Sequence, residues 1–292
     1  MKISGRARAY FKLLRIDHYV KNFFVFAPAF FALKFDLSTW LLECGGFVAF
    51  SLCASSIYIL NDIFDINQDR NHPLKKLRPI ASGEVKIGTG YVIAMILFLF
   101  SAVASWIITV KFLIVILIYF FMNVFYSLGL KHIPILDVVI IATGFVLRVV
   151  AGSLIINVRS SMWIILVTFL LALFLAIAKR RDDILISVEQ GTVRKSIDGY
   201  NLEMVQSGMV IMASVSVVAY IMYTISPDVM ARFGTDKLYL TSFMVIIGIL
   251  RYLQITFVKG QSGNPTQVVL RDKFLQVIIV TWLLSFWLVR YL

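Results

Sequence analysis

The residues best suited to chemistry are concentrated in "NDIFDINQDR", 61–70, directly after about twenty largely apolar residues. Asp62, Asp65 and Asp69 stand at i, i+3 and i+7, so on a helix their side chains fall within an arc of roughly 60°. Carboxylates placed in this way repel one another unless a cation holds them together. Either basic side chains or a metal ion would serve. Hard oxygen ligands on one helix face suit Mg²⁺, which keeps several waters and bridges to substrate phosphates. Basic residues follow closely: Lys75, Lys76 and Arg78 precede a proline and a Ser-Gly turn in "KKLRPIASG". Alongside a metal they would hold the remaining phosphate oxygens. A second polar stretch, "KRRDDILISVEQGTVRKSIDGYNLE" at 179–203, also mixes acids with bases.

These stretches must be carried by elements that cross a membrane. Of 292 residues, 60% are hydrophobic and 15% charged, with a mean hydropathy of +0.88; a soluble domain carries about a quarter charged residues. Apolar runs of about twenty residues suit helices rather than barrel strands. The pattern predicts an all-α, polytopic membrane protein with nine spans near 22–36, 38–60, 88–109, 111–128, 134–156, 161–178, 205–226, 238–257 and 274–292. The segment 1–21 is basic and amphipathic with no signal cleavage site, which predicts a helix on the membrane surface. The whole chain, 1–292, reads as one integral-membrane domain with long loops at about 61–87 and 179–203.

With the N-terminus in the cytosol, twenty of the Lys and Arg residues fall on the cytosolic side and six on the other. The positive-inside rule therefore predicts that orientation, in an inner (cytoplasmic) membrane. The net charge of +12 follows mostly from this asymmetry, and its scatter among loops excludes nucleic acid as a partner. Cys44 and Cys53 both lie in the second span and read as packing residues. The histidines lack ligand-like spacing, which argues against zinc. Arg148 lies within the fifth span, where a charge is costly unless it is paired or lines a wet cavity. With Asp137 nearer the cytosolic end of the same span, it predicts a polar cavity open to the cytosol and able to hold an anion.

"NDIFDINQD" followed by "LRPIASG" resembles the first aspartate-rich motif, NDxxDxxxD…RPI.SG, of the UbiA superfamily of intramembrane prenyltransferases. "YSLGLKHIPILD" (126–137) is similar in its tyrosine, lysine and short spacing. The resemblance covers almost the whole chain and implies a nine-helix bundle with a central cavity opening to the cytosol. The second loop departs from it. Where the aromatic prenyltransferases carry a second acidic motif, DxxxD or D-R-E-D-D, this chain has "KRRDD". Lys179 stands for the leading aspartate and Arg181 for the glutamate, while Asp182 and Asp183 remain. This pattern resembles the decaprenyl-phosphate phosphoribosyltransferase branch. So do "RIDHYVKNFFVFAP" (15–28), "GFVLRVVAG" and "GNPTQVVLRDKFL" (263–275), with Tyr19 where a tryptophan is usual and Asp17 where a proline or small residue is usual.

The resemblance implies Mg²⁺-dependent transfer of 5-phosphoribose from phosphoribosyl pyrophosphate to a polyprenyl phosphate, releasing pyrophosphate. It assigns Asp62, Asp65 and Asp69 to the metal and the catalytic centre, with Asn61 contacting water in the metal's shell or a substrate oxygen. Lys21, Arg78, Lys131, Arg148, Lys179 and Arg180 are the phosphate clamps it implies. Asn22 belongs to the substrate-binding V-K-N stretch, and Asp183 and Tyr126 would position ribose hydroxyls or a basic clamp. Two other readings remain open: an aromatic prenyltransferase making a quinone, haem or chlorophyll precursor, and a non-enzymatic lipid-phosphate carrier. An oligomer is compatible with the sequence, which leaves the tail length open.

Overall fold

The computed structural model describes residues 5–72, 75–190, 199–260 and 265–289, and every regular element among them is helical. The chain divides into two compact units, Met1–Lys131 with Leu147–Ser160, and His132–Val146 with Ser161–Leu292.

The first unit opens with α1 (Gly5–Leu14), a 3₁₀ segment (Ile16–Phe26) and a short α2 (Ala27–Phe31). Ala9 and Leu13, four residues apart on α1, bury themselves against Ile59 and Ile63 of α3 (Leu37–Phe64), while Tyr10 and Phe11 stay exposed. Asp36 caps α3: its carboxylate accepts from the Thr39 amide at 2.9 Å. Hydrogen bonds from Ser38 and then Thr39 hold that carboxyl down to about 2. At 28 residues α3 is roughly 42 Å long, longer than the ~30 Å apolar layer. A span entering near Leu37 is therefore complete about two turns before Asp62. The short α4 (Ile66–Arg70) continues the chain from Asp65.

Two buried serines on the paired faces of α3 and α5 (Ile87–Ile108) return their hydroxyls to backbone carbonyls, Ser56 to Ala94 at 2.8 Å and Ser101 to Ala49 at 2.7 Å. Extended backbone at Thr109 separates α5 from α6 (Val110–Leu128), so the third and fourth apolar runs are two helices. Phe50, Phe112, Ile116 and Tyr119 form the core with Ala151 and Ile155 from the second half of α7 (Leu136–Ile155). A Cβ on Gly152 would lie 1.9 Å from the Val25 carbonyl oxygen, so only glycine allows α7 this close to the 3₁₀ segment.

The second unit contains the first half of α7, then α8 (Met162–Gln190), α9 (Leu202–Thr224), α10 (Pro227–Phe233), α11 (Ser242–Phe257), α12 (Pro265–Arg271) and α13 (Lys273–Val289). Its core gathers Phe174, Ala178, Met209, Ala213, Tyr252, Ile255 and Leu275. With 29 residues, α8 is also longer than a single crossing, and "KRRDD" (179–183) falls where a crossing of about twenty residues from Met162 ends.

Seven helices among the described residues are long and apolar enough to cross a membrane, and α13 is a shorter apolar helix of 17 residues. The nine-helix expectation is not reached among these residues. The expected span at 22–36 is a 3₁₀ segment and a five-residue helix, ending in a left-handed Leu33 (φ 57°). Pro28 explains the break: it has no amide hydrogen, and its ring clashes with the carbonyl four residues earlier in a continuing α-helix.

Candidate active site

The acidic stretch lies at the junction of α3 and α4. Asp65 joins the two helices, its amide bonded to the Asn61 carbonyl at 2.9 Å and its carbonyl to the Asp69 amide at 2.8 Å. Arg78 Nη1 donates to Asp62 Oδ1 at 3.0 Å and to Asp69 Oδ2 at 2.6 Å, so these two carboxylates share one guanidinium. Lys75 stands 3.9 Å from Asp69. Arg15 also donates to Asp62 Oδ1, and Lys131 to Asp65 Oδ1. Asp62 and Asp69 are buried, whereas Asn61 and Asp65 are half-buried. Arg78 is held in place because Ile80, two residues on, is anchored among Ile59, Ile63 and Val85.

Arg15 occupies a position that favours glycine. Its backbone is left-handed (φ 50°, ψ 49°) between α1 and the 3₁₀ segment, at a cost of roughly 1 kcal/mol for a residue with a Cβ. Its guanidinium lies 5.0 Å from the centroid of the Tyr58 ring. Ser51, Ser55, Tyr58 and Asp62 recur at spacings of four, three and four on α3, which makes one polar stripe facing the segment that follows α1. Tyr19 bonds Ser55 at 2.9 Å and Asn22 donates to Ser51 at 2.9 Å.

Arg148 is buried on α7. Its Nε donates to Asn22 Oδ1 at 2.8 Å and an Nη to the Tyr119 hydroxyl at 2.8 Å. The guanidinium also lies about 5 Å from the Phe50 and Tyr119 rings, contacts worth about 0.5–2 kcal/mol each. Asn22 and Tyr119 thus fix the orientation of this guanidinium. Half-buried Lys21 adds a second cation and makes no ion pair among the described residues. Burial first, then Arg148 and Arg15, push its pKa down to about 8. Lys21 therefore lies close enough to Arg148 and Arg15 for their charges to disfavour its own.

In the second unit, Arg180 Nε donates to Asp137 Oδ2 at 2.6 Å and its Nη1 to Asp183 Oδ2 at 3.0 Å. Tyr200 donates to Asp137 Oδ1 at 2.6 Å and accepts from the Ile135 amide at 2.7 Å. Burial, then the Asp137 bond, raise the Tyr200 hydroxyl to about 12, so it remains a donor. Arg181 and Asp182 turn to the other side of α8: they lie 3.8 Å apart, and Arg181 stacks 5.4 Å from the Phe257 ring. Lys179 is exposed.

The structure therefore brings Asp62, Asp69 and Arg78 together, pairs Asp65 with Lys131, joins Asn22 to Arg148, and joins Arg180 to Asp183. Tyr126 is half-buried near the end of α6. Sequence reasoning missed Arg15, Tyr119 and Tyr200 as partners of these groups. Arg15 carried a signal, because it opens "RIDHYVKN"; Tyr119 and Tyr200 carried none. Residues 191–198 of the second loop lie outside the described residues, as do 73–74 of the first.

Asp62, Asp65, Asp69 and Asn61 supply oxygen donors of the kind Mg²⁺ prefers, so the donor set fits that ion. Among the described residues, no three His, Cys, Asp or Glu side chains already converge on one point that could hold a metal. The carboxylates are instead neutralised by Arg15, Arg78 and Lys131.

Long apolar helices with charge-dense clusters at their ends define a multi-pass helical membrane protein. The chain belongs to the UbiA prenyltransferase family, whose model matches residues 22–278. It is similar to the decaprenyl-phosphate phosphoribosyltransferase of Mycolicibacterium smegmatis, 32% identical over 284 residues, covering 93% of this chain and 89% of the relative. A protein of the same name from Corynebacterium glutamicum is 32% identical over 280 residues, with 93% and 83% covered. A solved UbiA homologue from Archaeoglobus fulgidus, bound to GPP and Mg²⁺, shares the fold with a TM-score of 0.72 at 18% identity, covering 97% of this chain and all of that one.

Proposed function

We propose that this protein transfers 5-phosphoribose from phosphoribosyl pyrophosphate to a polyprenyl phosphate in a cytoplasmic membrane. Similarity to two decaprenyl-phosphate phosphoribosyltransferases over 93% of the chain supports this reading. The observation that carries it is the state of "KRRDD". Asp183 is bonded to Arg180 and Asp182 faces Arg181, so each carboxylate there has an arginine beside it. A stretch built in this way suits the handling of phosphate better than a second metal site, which an aromatic prenyltransferase would need.

In the reaction, an ionised phosphate oxygen of the polyprenyl phosphate attacks C1 of the ribose. The C1–oxygen bond to pyrophosphate breaks, and no proton need be removed from the nucleophile. Asp62, Asp65 and Asp69, with Asn61 beside them, would hold Mg²⁺, which when bound would neutralise charge on the departing pyrophosphate. Arg78 and Lys131 sit against those carboxylates and would take phosphate oxygens of the donor. Arg148, oriented by Asn22 and Tyr119, and Lys21 would hold a second phosphate. Arg180, positioned by Asp137 and Asp183, and Lys179 complete the phosphate clamps, and Tyr126 positions the ribose.

The reading keeps one domain over 1–292, nine crossings with segment 22–36 and α13 supplying two of them, a cytosolic N-terminus and a polar cavity open to the cytosol. Buried Arg148 and the asymmetry of Lys and Arg support it. The test offers purified protein radiolabelled phosphoribosyl pyrophosphate with polyprenyl phosphate, and separately prenyl diphosphate with aromatic acids. Label in a lipid product of the first mixture is the expected result. Product from the second mixture alone would make the protein an aromatic prenyltransferase.

A further inference from the structure

We propose that Arg15 is a tethered counter-cation that competes with the divalent metal for Asp62, so that metal loading requires its guanidinium to leave that carboxylate. The inference rests on the reading of Asp62 as a metal-binding carboxylate. Asp62 is buried, and its Oδ1 accepts from both Arg15 and Arg78. Arg78 has a second carboxylate, Asp69, at 2.6 Å, which keeps it in place. Asp62 is the one carboxylate partner of Arg15 among the described residues.

A divalent ion at Asp62 would stand beside two guanidinium groups in a poorly screened site, where repulsion between cations is strong. One group must withdraw, and the geometry selects Arg15. It lies at the joint between α1 and the 3₁₀ segment, and its left-handed backbone is a conformation that only its surroundings maintain. The guanidinium already lies 5.0 Å from the Tyr58 ring, a contact that would still hold it once the carboxylate is given up. In the absence of metal the same guanidinium adds to Arg78, which Asp62 shares with Asp69, in compensating a buried carboxylate.

The experiment measures Mn²⁺ binding to the full-length protein in detergent micelles without substrate, by electron spin resonance of free Mn²⁺, with Mg²⁺ as competitor. Arg15→Gln is expected to bind Mn²⁺ roughly tenfold or more tightly than wild type, the size of one lost charge-assisted competitor. Arg15→Lys, which keeps a competing charge, is expected within about threefold of wild type. In EDTA the Arg15→Gln protein should melt below wild type, and Mg²⁺ should close that gap. Unchanged or weaker Mn²⁺ binding by Arg15→Gln, with Asp62→Asn abolishing binding, overturns the inference and leaves Asp62 as a metal carboxylate. Wild-type binding by Asp62→Asn overturns both.

Discussion

Arg148 is held by Asn22 and Tyr119, two neutral groups that fix the direction of its guanidinium, and the proposed reading makes it a phosphate clamp. Leucine at this position should cut turnover and raise KM for one phosphate-bearing substrate. A charge-assisted hydrogen bond is worth about 1.5–3 kcal/mol, or roughly ten- to a hundredfold. KM measured for each substrate in turn shows which one it serves, and two unchanged values would return Arg148 to a structural role. Lys21 gives a pH dependence. Its folded pKa of about 8 lies below the ordinary 10.5, so the unfolded chain binds more protons between those values and stability rises with pH across that window. Anion binding runs the other way, because it needs the charged ammonium. Affinity for the phosphate substrate should fall as pH rises through 8, and binding above pH 8 should take up a proton. Titration calorimetry in buffers of different ionisation enthalpy measures that uptake.

The elements place these groups through backbone contacts as much as through side chains. Gly152 lets α7 reach the Val25 carbonyl, one turn from Arg148 and three residues from Asn22. Gly152→Ala would put a methyl 1.9 Å from that oxygen, and backbone cannot yield as a flexible side chain does. We expect a loss of about 1–3 kcal/mol of stability, the usual cost of overpacking. KM should also rise for the substrate that Arg148 serves, although residue 152 has no side chain to offer a ligand. Thermal melting and KM of the same variant check both effects; a normal melt with normal kinetics would mean that the contact relaxes freely. Helix length matters equally. Both α3 and α8 outrun a bilayer crossing; the excess of α3 carries Asn61 and Asp62, and "KRRDD" falls where the crossing of α8 ends.

For the whole molecule, the metal reading predicts that EDTA abolishes turnover and that Mg²⁺ restores it. Full activity in EDTA would remove the ion from the reaction. The charge asymmetry predicts a topology: a cysteine introduced at Lys2 should react with an impermeant maleimide only from the cytosolic face, and one at Lys237 only from the opposite face. Cys44 and Cys53 lie within α3, so a background without them gives clean labelling. The reverse pattern would invert the orientation and place the aspartates outside.

The membrane class, the helical elements and the positions where charge had to be compensated were determined by the sequence itself. Hydropathy and spacing act over neighbouring residues, and a bilayer punishes any exception. That is why Asp62, Asp65, Asp69 and Arg148 were legible as charges that needed a partner before any partner was known. The break at Pro28 was a local signal of the same kind, overridden by the apolar run around it. The partners themselves were decided only in the tertiary structure. Arg15 reaches Asp62 across 47 residues, Arg148 reaches Asn22 across 126, and Tyr200 reaches Asp137 across 63. A spacing rule constrains side chains on one helix, but a pairing across that distance depends on which helix faces are buried together. Burial there also decides which charges are cancelled and which, like Lys21, make no ion pair among the described residues.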